Sequence, residues 1–382
     1  MAVIESIEIT HHQLALDPPF PASWDPTPRT RFPATIVRVR DTDGRVGIGS
    51  GDAMYGFTDY MKHFTGREVL DLDDHDQRLA NIGFHAGRQW PLSLALWDLA
   101  GVTLGQPIWK MLGGTSPTLR LYASTAVHRS PEETVEVVAS LTSLGFEAVK
   151  LRFGRPRIDD DLEVVRAVRA ATDITLMVDC NQGWRMPWDT TAPWSIDEAW
   201  PVARQLADLG VYWMEEPLHR GDYAGMAELR QRLSGSGLLV AGAEMTREPY
   251  ELDHLLERGC LDVFQPDVVC TGGFGPLASF AQRVVAHGKV FTPHTWGNGI
   301  GVLANLHLAA GTAGVEGSRW VEWPCDPPEW SSDRRDFPLR RTLEDALQLS
   351  GGHVRLTDAP GLGLELDEAR LDATRSITAT FG

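Results

Sequence analysis

Cysteine is scarce: Cys180, Cys260, Cys270 and Cys325 are the only four in 382 residues, and no two fall in a CxxC spacing. Neither a structural zinc site nor a disulfide framework follows from them, and free thiols in a reducing compartment are expected. Basic residues are outnumbered, 35 Lys and Arg against 52 Asp and Glu, for a formal charge of -17. A nucleic acid or an anionic membrane would meet a repulsive field, so neither is expected as a partner. No stretch reaches the roughly 18 apolar residues of a membrane span. The opening MAVIESIEITHHQLAL lacks the basic start and continuous apolar core of a secretion signal, which favours a cytoplasmic location. Low-complexity tracts are absent too, and hydrophobic and charged contents of 43% and 23% suit a folded globular chain.

The length exceeds what one hydrophobic core usually supports, so two structural units are expected. Residues 1–118 open with the strand patterns VIESIEIT and ATIVRVRDTDGRVGIGSG, in which Asp43 and Gly44 read as a hairpin turn. A helical pattern follows in PLSLALWDLAGVTLGQPIWKMLGG. There Leu92, Leu96, Leu99 and Val102 stand at helical spacing, and Gly113 and Gly114 act as terminators. This is an α+β unit.

Over residues 119–343 short apolar runs alternate with helical patterns, the signature of βα units around a parallel sheet. LRLYASTA, FEAVKLRF, ITLMVDCN, VYWMEEP, LLVAGAE, LDVFQPD, KVFTPH and RWVEWP predict the eight strands of a TIM-like barrel. Between them, Ser130 with Glu133 reads as a capping box, Pro131 as a first helical residue and Gly145 as a stop. Ile158, Leu162, Val165 and Val168 form the buried stripe of a further helix. Residues 344–382 do not continue the rhythm and are expected to pack back onto the N-terminal unit.

A barrel of this kind carries its reactive groups at the C-terminal ends of its strands. Here the second run ends in Lys150 and Arg152, the third in Asp179 and Asn181, the fourth in Glu215 and Glu216, and the fifth in Glu244. The sixth ends in Asp267, the seventh in His294 and the eighth in Glu322. Asp179, Glu215 and Glu244 supply three hard oxygen donors from neighbouring strands and leave room for water and substrate, which suits Mg²⁺. Without a cation they would repel one another. His294 can take and return a proton near neutral pH, and Asp267 one strand away can fix its tautomer. Lys150 and Arg152, two residues apart, share a face and are expected to point together into a polar barrel mouth, opposite the metal, where they neutralise a substrate carboxylate. Lys150 becomes an alternative base if a nearby cation lowers its pKa, whereas Arg152 stays protonated.

In order along the chain, VKLRFG, MVDCNQGW, WMEEP, AGAE, FQPDVVCTGG and FTPHTWGNGIG, with ALWDLAGVTLGQPIWKMLGG upstream, resemble the mandelate racemase and muconate-lactonising branch of the enolase superfamily. The resemblance covers nearly the whole chain. It implies an α/β fold, a (β/α)₇β modified TIM barrel, beneath an α+β capping domain built from the N-terminal region and the C-terminal tail. It also implies Asp179, Glu215 and Glu244 as Mg²⁺ ligands, and Asp267 with His294 as a catalytic dyad. Glu322 is similar to the acid that hydrogen-bonds the substrate carboxylate as charge develops, and Asn181 to a contact of the metal surroundings or the substrate. Two loops near the N-terminus, about Pro18 to Arg31 and Gly51 to His63, would shape specificity; Tyr55 is a candidate substrate contact, and Phe57 either a contact or core. The family often has Lys-x-Lys on the second strand with its second lysine as a base, whereas this chain has Arg152 there. Relatives of this kind are commonly dimers to octamers, so a homo-oligomer is expected.

The reaction so implied starts with removal of the weakly acidic proton beside a substrate carboxylate, its enediolate stabilised by Mg²⁺, Lys150 and Glu322. Racemisation through two bases needs proton carriers on opposite faces, and Arg152 weakens one of them. Dehydration needs one competent base and an acid for the departing β-hydroxyl, both within the reach of His294. Dehydration of a sugar acid to a 2-keto-3-deoxy acid is therefore favoured. A racemase or epimerase acting through the same intermediate and a non-catalytic metal-dependent binding protein are the alternatives, with cycloisomerisation behind them.

Overall fold

The computed structural model describes residues 2–51, 57–86, 89–295, 297–312, 320–325 and 333–381. Strand β1 (Ile4–Phe20) turns Ile7 and Ile9 inward and Glu8 outward, the period-two pattern of a half-buried sheet. It pairs antiparallel with β2 (Arg29–Asp41), which pairs with β3 (Val46–Gly51). The hairpin between β2 and β3 turns at the expected place: Gly44 has φ +85°, and its N–H donates to Asp41 O at 3.0 Å.

Helices α1 (Leu72–Ala86), α2 (Trp90–Leu104) and α3 (Ile108–Met111) follow. Leu92, Leu96 and Leu99 of α2 are buried as their spacing predicts. The helix lies flush on β3 because Gly47 and Gly49 have no side chain; a Cβ on Gly49 would stand 2.0 Å from Pro91 O. Phe57 is 1% exposed and packs with Ile4, Val37 and Leu96, so it is core rather than a substrate contact. Tyr55 lies outside the described residues.

The second sheet runs through β4 (Thr118–Ser124), β5 (Ala148–Arg152), β6 (Thr175–Asp179) and β7 (Trp213–Glu215). It continues in β8 (Leu239–Gly242), β9 (Val263–Phe264), β10 (Val290–Phe291) and β11 (Val321–Pro324). All eight are parallel and correspond to the eight predicted runs, with order β10-β9-β8-β7-β6-β5-β4-β11. Among the described residues seven helices connect them: α4 (Pro131–Ser143), α5 (Ile158–Ala171), α6 (Ile196–Asp208), α7 (Tyr223–Arg232), α8 (Pro249–Glu257), α9 (Phe274–Ala286) and α10 (Gly299–Thr312). The Ser130 and Glu133 capping box is present at α4, and the apolar stripe of α5 faces the sheet. This is the (β/α)₇β arrangement. Between β10 and β11 the described residues form no backbone ladder; Thr292 Oγ1 donates to Trp320 O at 2.6 Å, and Thr295 Oγ1 donates to Glu322 O at 2.5 Å across that seam.

The interior of the barrel is layered. A plug of Tyr122, Ala148, Met177, Trp213 and Val263 fills its lower part, with the Tyr122 and Trp213 rings edge to face at 5.3 Å. One period-two step further along the same strands come Ser124, Lys150, Asp179, Glu215 and Gln265, so alternation alone carries the lining from apolar to charged.

The segment after residue 343 has two attachments. Helices α11 (Asp333–Asp336) and α12 (Leu343–Ala346) precede β12 (His353–Arg355), which pairs antiparallel with the start of β4 at the end of the barrel away from the charged layer. After α13 (Glu368–Thr374), β13 (Arg375–Phe381) crosses to β1 and completes a four-stranded sheet in the order β13-β1-β2-β3.

Buried His307 of α10 holds several of these parts together. Its Nδ1 accepts from Trp109 N–H at 3.2 Å, which requires the neutral tautomer whose Nε2–H donates to Leu362 O at 3.2 Å. Burial pushes its pKa down to about 4, against a partial opposing effect of the Leu362 bond. A histidine depressed in the fold is protonated first in the unfolded chain, so its contribution is complete above pH 6.5 and is lost as pH falls toward 4. We expect His307 alone to remove ~3 kcal/mol of stability over that window. Urea melts at pH 7 and pH 4.5 check this: His307→Gln should lose less stability on acidification than the parent, and equal losses would contradict it.

Candidate active site

The strand ends lie in lateral register: Arg152 pairs with Asp179, and Asp179 with Glu215. Adjacent strands stand ≈ 4.8 Å apart, so these side chains are brought shoulder to shoulder by the ladder itself. Glu244 joins them just past β8. One oxygen from each of Asp179, Glu215 and Glu244 lies within 4.8 Å of the others, and all three side chains are buried. Past the ends of β6, β7 and β8 the chain turns through Asn181 (φ +52°), Glu216 (φ +47°) and Ala243 (φ +85°). Such left-handed non-glycine residues cost of order 1–3 kcal/mol each and gather where geometry serves function.

Cations sit directly beneath and beside the carboxylates. Lys150 Nζ donates to both Glu215 oxygens at 2.7 and 2.9 Å and lies 2.9 Å from Glu322 Oε1. Arg152 Nη1 pairs with Asp179 Oδ2, its Nη2 donates to Ser124 Oγ at 3.0 Å, and its Nε donates to Thr125 O at 2.8 Å. Gln265 Nε2 donates to Glu215 Oε2 and Trp184 Nε1 to Glu244 Oε1, each at 2.9 Å. Neither Gln265 nor Trp184 is singled out by the sequence reading, although both lie inside its quoted motifs; nothing in one sequence tells a carboxylate's hydrogen-bond donor from an ordinary core amide or indole.

His294 closes the constellation from β10. Its Nδ1 donates to Asp267 Oδ2 at 2.8 Å, and its Nε2 stands 3.5 Å from Glu244 Oε2. Asp267 Oδ1 already accepts from Asn305 Nδ2 at 2.7 Å and Val269 N–H at 2.9 Å. The carboxylate therefore has one oxygen left for the imidazole, which places the ring proton on Nδ1 and leaves Nε2 as the basic atom. Burial would lower the His294 pKa, but Glu244, Glu322 and Asp267 outweigh it and raise the group to about 9. Burial raises Asp179 and Glu215, only partly offset by Arg152 and Lys150. For Glu322 burial pushes the same way, yet Lys150, His294 and Arg152 hold it below the ordinary carboxylate range. Lys150 is held protonated: burial alone would lower it, but Glu215 and Glu322 win.

Two expectations need correction. Lys150 does not share the mouth with Arg152. Two residues of strand are ≈ 6.6 Å, so Lys150 lies a full layer deeper, with no exposure and paired with Glu215 and Glu322. The mouth is also less polar than expected. A cavity of about 310 Å³ above the site is lined by Arg152, Asn181, Glu244, Asp267 and His294 on its floor, but its walls include Trp24, Phe32, Trp184, Met186 and Val269. Trp24 and Arg29 come from the expected specificity loop, and the Trp24 ring lies 5.2 Å from the Arg152 guanidinium. Asn181 reaches the cavity while its Nδ2 donates to Phe153 O.

The acidic trio fits a magnesium ion. Glu244 Oε2 is buried with no hydrogen-bond donor among the described residues, an acceptor waiting for a cation. On an octahedral Mg²⁺ adjacent ligands stand about 3 Å apart and opposite ones about 4.2 Å, so the three oxygens, within 4.8 Å of one another, would draw inward to close on the ion.

Residues 133–370 match the family model described as enolase C-terminal domain-like. The chain belongs to the enolase superfamily. Within it, the chain is 31% identical over 313 residues to D-galactarolactone cycloisomerase of Agrobacterium fabrum, covering 80% of this chain and 77% of that protein. It is 27% identical to arabinonate dehydratase of Saccharolobus solfataricus, covering 87% and 88%. Among solved structures, L-talarate/galactarate dehydratase of Salmonella typhimurium, liganded with Mg and L-lyxarohydroxamate, superimposes with a TM-score of 0.82. The match covers 100% of this chain and 95% of that one at 24% identity, which establishes the superfamily fold, cap sheet and barrel together.

Proposed function

We propose that this chain is a Mg²⁺-dependent hydro-lyase that takes the α-proton of a sugar acid and eliminates its β-hydroxyl as water. The observation that carries the reading is the His294 and Asp267 pair, whose basic Nε2 faces the carboxylate trio across the floor of the cavity. Asp179, Glu215 and Glu244 would hold the ion; when bound, it polarises the substrate carboxylate and lowers the cost of the enediolate. Arg152 faces the cavity and adds positive charge near that carboxylate. His294 in its neutral form takes the α-proton at Nε2, and the C–H electron pair enters the enediolate; a cation held by the trio would offset the Glu244 charge that raises His294 and so favour that form. The same nitrogen then returns a proton to the β-hydroxyl, which leaves as water; the enol so formed tautomerises to a 2-keto-3-deoxy acid. Glu322 can donate to the substrate carboxylate only in its protonated form, which its ion pair with Lys150 opposes. The buried, paired Lys150 and the guanidinium at 152 leave no lysine base opposite His294 and so favour elimination over two-base racemisation.

A second reading is cycloisomerisation, favoured by the relatives: D-galactarolactone cycloisomerase and, at 27% identity, 3,6-anhydro-alpha-L-galactonate cycloisomerase of Streptomyces coelicolor. The first proton transfer is common to both readings; the leaving oxygen is then part of a ring. The division into a cap of residues 1–118 with 344–382 over a barrel of 119–343, a cytoplasmic location and a homo-oligomer belong to the same proposal. The -17 charge, four free cysteines and the lack of a membrane-crossing helix among the described residues agree with that setting.

Incubation of sugar acids and their lactones with enzyme and Mg²⁺ in D₂O, followed by NMR, separates the readings. Dehydration gives a 2-keto-3-deoxy acid, cycloisomerisation an isomeric ring-opened or ring-closed acid, and racemisation an inverted α-deuterated acid. Binding without exchange or turnover would overturn them all.

A further inference from the structure

Asn305 lies mid-way along α10, wholly buried among Val302, Leu306 and Leu308. A buried amide costs ≈ 1–3 kcal/mol unless its hydrogen bonds are met, and here they are. Its Nδ2 donates to Asp267 Oδ1 at 2.7 Å and to Gly301 O at 3.2 Å, while its Oδ1 accepts from Val268 N–H at 2.9 Å. A carboxylate only accepts and an N–H only donates, so these partners fix which way the amide points. Asn305 thereby grips both the Asp267 carboxylate and the backbone that follows it. Rotation of that carboxylate away from His294 would break the bonds to Asn305 and Val269 together.

The run of hydrogen bonds continues in the other direction. Gly301 N–H donates to Asn298 Oδ1 at 3.2 Å, Asn298 Nδ2 donates to Ser50 Oγ at 2.7 Å, and Ser50 Oγ donates to Thr35 O at 2.6 Å. Ser50 belongs to β3 of the cap sheet, and Asn298 lines the cavity at the start of α10.

We propose that Asn305 is a positioning residue for the dyad, and that the hydrogen-bonded run from Ser50 through Asn298 and Asn305 to Asp267 ties the seating of the cap sheet to the alignment of His294. The proposal rests on the reading of His294 as the base. Removal of the Asn305 donor frees Asp267 to turn, and the imidazole loses its fixed tautomer and aim. Substrate binding and the acidic trio are untouched by that change.

The test uses full-length enzyme with Mg²⁺ and galactarate or arabinonate, whichever the parent turns over. Asn305→Leu keeps the volume and removes the donor, together with the acceptor for Val268; kcat should fall ~10- to 100-fold, with KM and Mg²⁺ affinity unchanged. If that variant does not fold, Asn305→Ser is measured in its place. Ser50→Ala should lower kcat less, and the double variant should be milder than the product of the two single effects, since both cut one run. Parent-like kcat in the Asn305 variant, a matching rise in KM, or strictly multiplicative effects would overturn the proposal. A parent enzyme that exchanges no α-proton would overturn the reading of His294 itself, an outcome told apart by needing no variant.

Discussion

His294→Asn is expected to abolish turnover, a loss at the upper end of the ~10²–10⁴-fold range for a general acid-base group, because one nitrogen serves both proton transfers. Asparagine fills much of the space and can still meet Asp267 Oδ2, so the floor of the cavity should survive. The ion's ligands are elsewhere, so Mg²⁺ affinity should stay close to that of the parent. Steady-state kinetics and calorimetric Mg²⁺ titration on one preparation check both halves. Parent-like turnover removes His294 as base, and loss of metal binding alongside activity shows that its role is in holding the ion.

Glu244→Gln should act in the opposite place. Of the trio, Glu244 is the member that pairs with no lysine or arginine among the described residues: Trp184 occupies one oxygen, and the other has no hydrogen-bond donor there but lies 3.5 Å from His294 Nε2. Glu215 by contrast neutralises Lys150, and Asp179 pairs with Arg152, so changes there would strand a buried charge as well as remove a ligand. The glutamine variant is therefore expected to keep metal-free stability close to that of the parent, since relief of repulsion within the trio is set against the lost attraction to His294. It should lose the Mg²⁺-dependent rise in melting temperature that ligand binding to the folded state gives the parent. Activity should fall with the metal, by ~100-fold or more at a Mg²⁺ concentration that saturates the parent, the upper end of what outer-shell changes already cost. Thermal melts with and without Mg²⁺ decide this; an undiminished shift would exclude Glu244 as a ligand.

The barrel was legible because each strand is a short apolar run and each run ends in a polar group, a rhythm that survives without any knowledge of contacts. Seven strand ends could be named from sequence, and the fold brings their side chains to one place because the parallel ladder puts residue 152 beside 179 and 179 beside 215. Depth along a strand was harder to see. Residues 150 and 152 share a face, but only the plug of Tyr122, Met177 and Trp213 beneath shows that Lys150 belongs to the buried layer and Arg152 to the open one. Asn305 was invisible for a different reason: an asparagine in an apolar helical pattern gives no sign of its partner, and the partner lies 38 residues away in sequence. The tail shows the same limit. Its departure from the βα rhythm was plain, yet that it first pairs with β4 and only then reaches β1 depends on long-range strand pairing.

The most direct measurement is a crystal grown with Mn²⁺ in place of Mg²⁺ and examined by anomalous scattering. A single strong peak is expected, about 2 Å from one oxygen each of Asp179, Glu215 and Glu244, with His294 Nε2 facing the substrate side of the ion. Saturating Mn²⁺ with no peak between those three oxygens, or a peak held by other groups, would contradict the account.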